Sequence, residues 1–188
     1  MSQLSRWLTV WLPLILSSMA LSGAVNASSS GWQQAKHIRA ELISEYQTVS
    51  PGQRFSVLLH FEPDPGWHTY WQNPGDSGLP TSISWQLPEG VQAGAIQWPT
   101  PRAFVIPPLV NYGFSGQTLL LSELSVPADY AAGPLVIRAD VDWLVCEEIC
   151  IPADASFELT VAVASQSELA QSQQPLFAKA RAAQPLKT

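Results

Sequence analysis

The chain has 188 residues, 46% of them apolar and 13% charged, and only two cysteines. Its net charge is −6 and its basic residues are spread singly, so it has no electrostatic footprint for nucleic acid or anionic lipid. Two cysteines exclude a disulfide-dense scaffold, and the apolar content excludes a collagen-like or disordered chain.

Trp7 to Leu21 is an apolar stretch broken by Pro13 and preceded by a single basic residue, Arg6. Small residues follow, and Val25-Asn26-Ala27 has the small-x-Ala pattern of a signal-peptidase site. Residues 1–27 therefore read as a secretory signal peptide cleaved after Ala27, too short for a membrane span, which needs about 20 apolar residues. Losing Arg6 with it takes the charge from −6 to −7. Export would put Cys146 and Cys150 in an oxidising compartment, where a nearby pair can form a disulfide. Residues 28–35 read as a flexible linker.

From Lys36 the apolar pattern has a period of two, the mark of strands with one face on a core. Phe55, Val57, Leu59 and Phe61 alternate with Arg54, Ser56, Leu58 and His60, which places His60 on a polar face. Trp67, His68, Tyr70 and Trp71 then form an aromatic segment that offers a candidate binding loop. Ile83, Trp85 and Leu87 mark the next strand. In the longest strand Leu135, Ile137, Ala139, Val141, Trp143 and Val145 share one face, with Asp142, Leu144 and Cys146 on the other. Phe157, Leu159, Val161 and Val163 mark the last. Turn signals such as Ser50-Pro51-Gly52, Asp64-Pro65-Gly66 and Asn73-Pro74-Gly75 fall between these segments. The pattern predicts an all-β fold, an immunoglobulin-like antiparallel β-sandwich of about seven or eight strands over residues 36–164. The Gln/Ala/Ser-rich tail, 165–188, reads as a short helix or disordered linker with no packing partner, or as the start of a truncated connecting segment.

Cys146 and Cys150 are separated by Glu147, Glu148 and Ile149. A straight strand would hold the two Cα atoms about 13 Å apart, so a bridge requires a turn at 147–149. So small a loop contributes only about 2 kcal/mol through the unfolded chain's entropy, which makes exchange chemistry as natural a use as stability. From spacing alone the two roles stay level, and which cysteine attacks and which resolves stays open. Asp142, Glu147 and Glu148 surround the pair with negative charge that disfavours thiolate, which makes them candidate modulators.

The run Gly66-Trp67-His68-Thr69-Tyr70-Trp71-Gln72-Asn73-Pro74-Gly75-Asp76-Ser77-Gly78-Leu79-Pro80 resembles the N-terminal periplasmic domain of the DsbD/ScsB thiol:disulfide interchange proteins. Val110-Asn111-Tyr112-Gly113 and the segment Asp142 to Pro152 carry the same resemblance, on the side of ScsB, the copper-tolerance branch. It implies a periplasmic immunoglobulin-like domain whose redox pair maps onto Cys146 and Cys150. It implies electrons arriving from a membrane-embedded donor domain and leaving to periplasmic thioredoxin-like oxidoreductases, with no cofactor and no small-molecule substrate. A cap over the thiols would map onto Asn111, Tyr112 and Phe114, with Tyr112 as the shielding aromatic. The gap between the cysteines is narrower than in the best-known DsbD domain, and the membrane and thioredoxin-like parts do not follow within the 188 residues.

The histidines His37, His60 and His68 lack metal-ligand spacing, so no metal site is expected and hydrogen-bonded or solvated roles are favoured. Two functions remain. One is a thiol–disulfide exchange module, a reductase-type activity that depends on a donor elsewhere. The alternative is a non-catalytic immunoglobulin-like binding module whose disulfide is structural.

Overall fold

The computed structural model describes residues 28–186, so the predicted signal peptide lies outside the described residues. Two sheets face each other. The first comprises β1 (Gln33–Ala35), β2 (Ile38–Ser44), β4 (Arg54–Pro63), β10 (Thr118–Ser125) and β7 (Gln92–Ala93), in that order. The second runs from β13 (Glu168–Leu169) and β3 (Tyr46–Val49) through β12 (Cys150–Val163), β11 (Gly133–Cys146) and β5 (His68–Gly75). It ends with β9 (Leu109–Ser115) and β8 (Arg102–Ile106), while β6 (Ser82–Gln86) pairs with β11. The expected β-sandwich is therefore present, with extra short strands at its edges. Pairing is antiparallel except between β3 and β12.

The period-two faces form the core. On β11, Leu135, Ile137, Ala139, Val141, Trp143 and Val145 are all buried, facing Phe55, Val57, Leu59 and Phe61 of β4 across the sandwich. Each large apolar side chain removed from water there contributes on the order of 2 kcal/mol. β11 and β12 pair without a break from Gly133↔Val163 to Cys146↔Cys150, so the register carries the two cysteines opposite each other at the hairpin's end.

The ends of the domain depart from expectation. The segment read as a flexible linker is tied down: Gln33–Ala35 pairs with β2, and Ser29 bridges to Ile43. The tail has a partner as well. Its helix α1 (Gln174–Ala182) buries Phe177 and Ala180 against Ile43, Leu58, Leu119 and Leu121 on the outer face of the first sheet. Arg181 Nη2 donates to both carboxylate oxygens of Glu45 at 2.7 Å, and the Thr100 N–H donates to the Ala183 carbonyl at 2.9 Å. His60, expected on a polar face, is 3% exposed because the N-terminal segment and α1 cover that face. Among the described residues no helix is long and apolar enough to cross a membrane.

Candidate functional site

Cys146 and Cys150 form a disulfide with Cα atoms 4.2 Å apart, and Glu147 to Ile149 make the tight return that the spacing requires. The two sulfurs belong to residues of opposite accessibility. Cys146 ends β11 at 1% exposure, while Cys150 opens β12 as an exposed residue. Because successive side chains alternate faces, and Val145 points into the sandwich, Cys146 points out of it.

A row of residues crosses the outer face of the second sheet at this level. His68 of β5 pairs with Cys146 on one side and with Ser115 of β9 on the other. Two residues on, Tyr70 shares the face of His68, and its hydroxyl lies 3.4 Å from Cys150 Sγ. A disulfide sulfur carries no hydrogen, so the tyrosine hydroxyl donates. Burial pushes the Tyr70 hydroxyl above its usual pKa, which keeps that proton in place. The ring needs close clearance: a Cβ on Gly78 would fall 2.3 Å from it, and the φ of +91° at this residue also favours glycine.

The aromatic segment expected as a loop is a strand. His68 and Tyr70 are buried in it, Trp67 just before it is buried in the inner core and only Trp71 is half-exposed, so it forms the floor of the site rather than a free binding loop. The cap residues separate as well. Asn111 is 2% exposed and works as a clamp, its side-chain oxygen accepting from the Ser77 N–H at 2.9 Å and the Ser77 hydroxyl at 3.1 Å. Phe114 is buried in the inner core beside Trp98. Tyr112 lies edge-on to Trp71, with ring centroids 6.5 Å apart, on that inner side of the sheet. Gly113 explains the shared motif: a Cβ there would meet the Thr69 carbonyl at 2.1 Å.

The aromatic over the outer face is Phe104. It sits opposite Asn111 in the β8–β9 hairpin and stacks on His68, with centroids 4.2 Å apart and planes 16° apart. Arg102 lies over the same phenyl ring. No spacing rule links residue 104 to residue 68; only the β8–β9–β5 register does. Of the candidate modulators, Asp142 faces the Cys146 side of β11, and Glu147 reaches back over Gly66. Glu148 is an exposed turn residue. Among the described residues no cluster of His, Cys, Asp and Glu is arranged to hold a metal ion.

The family described as the N-terminal domain of thiol:disulfide interchange protein DsbD matches residues 39–162. The chain belongs to that family. The DsbD-type match takes in both sheets and both cysteines, and together with the bridge it makes this a thiol–disulfide interchange domain. Among solved structures, the N-terminal periplasmic domain of ScsB from Proteus mirabilis superposes with a TM-score of 0.67 at 21% identity, covering 86% of this chain and 61% of that one. That likeness establishes the fold, and the chain spans about three-fifths of that relative's length. The GAE domain of yeast GGA1 gives a TM-score of 0.39 at 8% identity over 68% of this chain and 94% of that one. No curated protein matches the sequence.

Proposed function

We propose that this DsbD-type domain relays reducing equivalents in the periplasm, accepting electrons from a membrane-embedded donor and passing them to thioredoxin-like oxidoreductases. The observation that carries the reading is the unequal exposure of the pair, Cys146 at 1% and Cys150 open to solvent. In the reduced domain the Cys150 thiolate attacks a partner's disulfide. The partner's S–S bond breaks, its leaving sulfur takes a proton, and a mixed disulfide joins the two proteins. Cys146 then attacks Cys150 Sγ, which closes the internal bridge and releases the second partner sulfur as a thiol. Two electrons have left the domain. The Tyr70 hydroxyl, within reach of Cys150 Sγ, would stabilise the Cys150 thiolate as attacker and as leaving group.

Exposed apolar side chains support a protein partner. Leu79 in the loop after β5, Val105, Ile106 and Leu109 at the hairpin tip, and Ile149 in the disulfide turn are each at least 39% exposed. All three segments border the site, which gives a large partner an apolar rim to bury. Phe104, rather than Tyr112, has the position of a lid that such a partner would displace.

Trapping tests the reading. Cys146→Ser should accumulate a mixed disulfide with a thioredoxin-like oxidoreductase through Cys150, and Cys150→Ser should not. Adducts from neither variant, or only from Cys150→Ser, would overturn it. The potential of the pair should lie above about −300 mV; a value well below that returns the bridge to the structural alternative. In the reduced domain, Phe104→Ala should speed alkylation of the thiols several-fold while Tyr112→Ala leaves it unchanged.

A further inference from the structure

Four buried side-chain polar atoms lack a hydrogen-bond partner among the described residues: His68 Nε2, Trp71 Nε1, Ser122 Oγ and Trp143 Nε1. Only the first belongs to a titratable group. A buried donor or acceptor left unmade costs about 1–3 kcal/mol, so this position carries a standing penalty that any apolar ring of the same shape would avoid. The penalty falls beside the reactive pair. His68 and Cys146 are register partners, and the Cβ atoms of such a pair lie about 5 Å apart on one face of the sheet. The stack with Phe104 and the edge contact with Tyr70 fix the ring's plane.

We propose that His68 is the proton acceptor for the Cys146 thiol, converting the buried sulfur into the nucleophile that resolves the mixed disulfide. The inference rests on the exchange function proposed above and adds a residue to it. With its own proton on Nδ1, the ring presents the Nε2 lone pair. The Cys146 S–H proton moves to Nε2, giving an imidazolium beside a thiolate. The thiolate attacks Cys150 Sγ, the bond from Cys150 to the partner breaks, and its electron pair leaves on the partner's sulfur. That sulfur takes up a proton, and His68 returns to neutral. Cys146 needs such a base because it is cut off from water at 1% exposure and burial disfavours its thiolate.

The charged groups around the ring fit this role. Burial and the Arg102 guanidinium both hold His68 below its usual value of 6.5, so with the bridge closed the ring is the neutral form that can accept a proton. On β11, Asp142 shares the Cys146 face but stands opposite Ser82 rather than His68, and in the turn Glu147 reaches over Gly66 while Glu148 is exposed. Tyr70 lies on the ring's own strand, and β9 contributes Ser115, which is uncharged. Once a thiolate forms one strand away, its charge favours the imidazolium, so the two groups titrate as a pair.

The test uses the reduced domain and Ellman's reagent, with no partner protein. Cys150 should release the first equivalent of nitrothiobenzoate and form a mixed disulfide; attack by Cys146 then releases the second. His68→Phe keeps the stack and removes the nitrogen, and His68→Gln is the second variant should the first not fold. The first phase should be unchanged. The second should slow at least about tenfold at neutral pH and recover at alkaline pH, where solvent ionises Cys146. An unchanged second phase, or a deficit of the same size at every pH, would overturn the proposal. A domain that shows the expected profile yet traps no oxidoreductase would refute the relay and leave His68 in its role.

Discussion

His60 and His68 are equally withdrawn from solvent, 3% exposed each, and their surroundings differ in kind. His60 lies on the outer face of the first sheet. Gln117 Nε2 donates to its Nε2 at 3.0 Å, which leaves Nδ1 to carry a proton toward Glu41 Oε1 at 3.1 Å. Glu41 also accepts from the Ser29 hydroxyl at 2.6 Å, Trp32 packs on the ring, and Lys179 of α1 donates to Gln117. The network therefore ties both ends of the domain to the sheet. His68 lies on the outer face of the second sheet, where Nε2 meets nothing among the described residues. Two histidines with one burial thus separate by their bonding. The completed network holds the fold, and the incomplete one lies beside the disulfide.

The largest expected effect attacks the element that covers His60. Phe177→Ala should cost about 4 kcal/mol in denaturant unfolding, because the ring is fully buried and α1 loses its main apolar contact. A loss under about 1 kcal/mol would mean the helix is not what buries this face. His60→Phe should cost about 3 kcal/mol, since it leaves Glu41 buried with Ser29 as its remaining side-chain donor. His68→Phe is the contrasting substitution: volume and stacking survive and an unpaired nitrogen disappears, so stability should stay within about 1 kcal/mol or rise. Equal losses at the two positions would break the comparison.

Acid titration separates the two sites by pH. His68 is a base held below 6.5 in the folded state, so the unfolded chain binds the extra proton first. Stability should therefore fall as pH drops through 6.5, and His68→Phe should flatten that slope. Burial pushes Glu41 upward, but its hydrogen bonds to His60 and Ser29 and the charges of His60 and Arg39 bring it below 4.5 overall. Its contribution is present above 4.5 and is lost as pH falls through the lower folded value. Glu41→Gln should remove only this second, more acidic step.

The sequence showed the two sides of this comparison unequally. Alternation alone located the inner faces of β4, β11 and β12, and the three-residue gap located the turn at 147–149. A period of two cannot say what covers an outer face. Leu58, Leu119 and Leu121 were signs that the first sheet is buried on both sides, matched by Leu176 and Phe177 in a tail that reads as partnerless. Tyr112 is the aromatic in the shared motif, whereas which ring lies over His68 depends on the β8–β9 register. That His68, Cys146 and Cys150 form one row follows from β5 pairing beside β11, a long-range fact no local pattern contains.

With Cys146 covered on the outer face of the second sheet and Cys150 open, the bridge has a single point of entry. A domain with two open sulfurs could be captured twice and stitched into chains of linked proteins. In the proposed relay this domain would hold a single covalent guest at a time, and each visitor would have to be released before the next is taken.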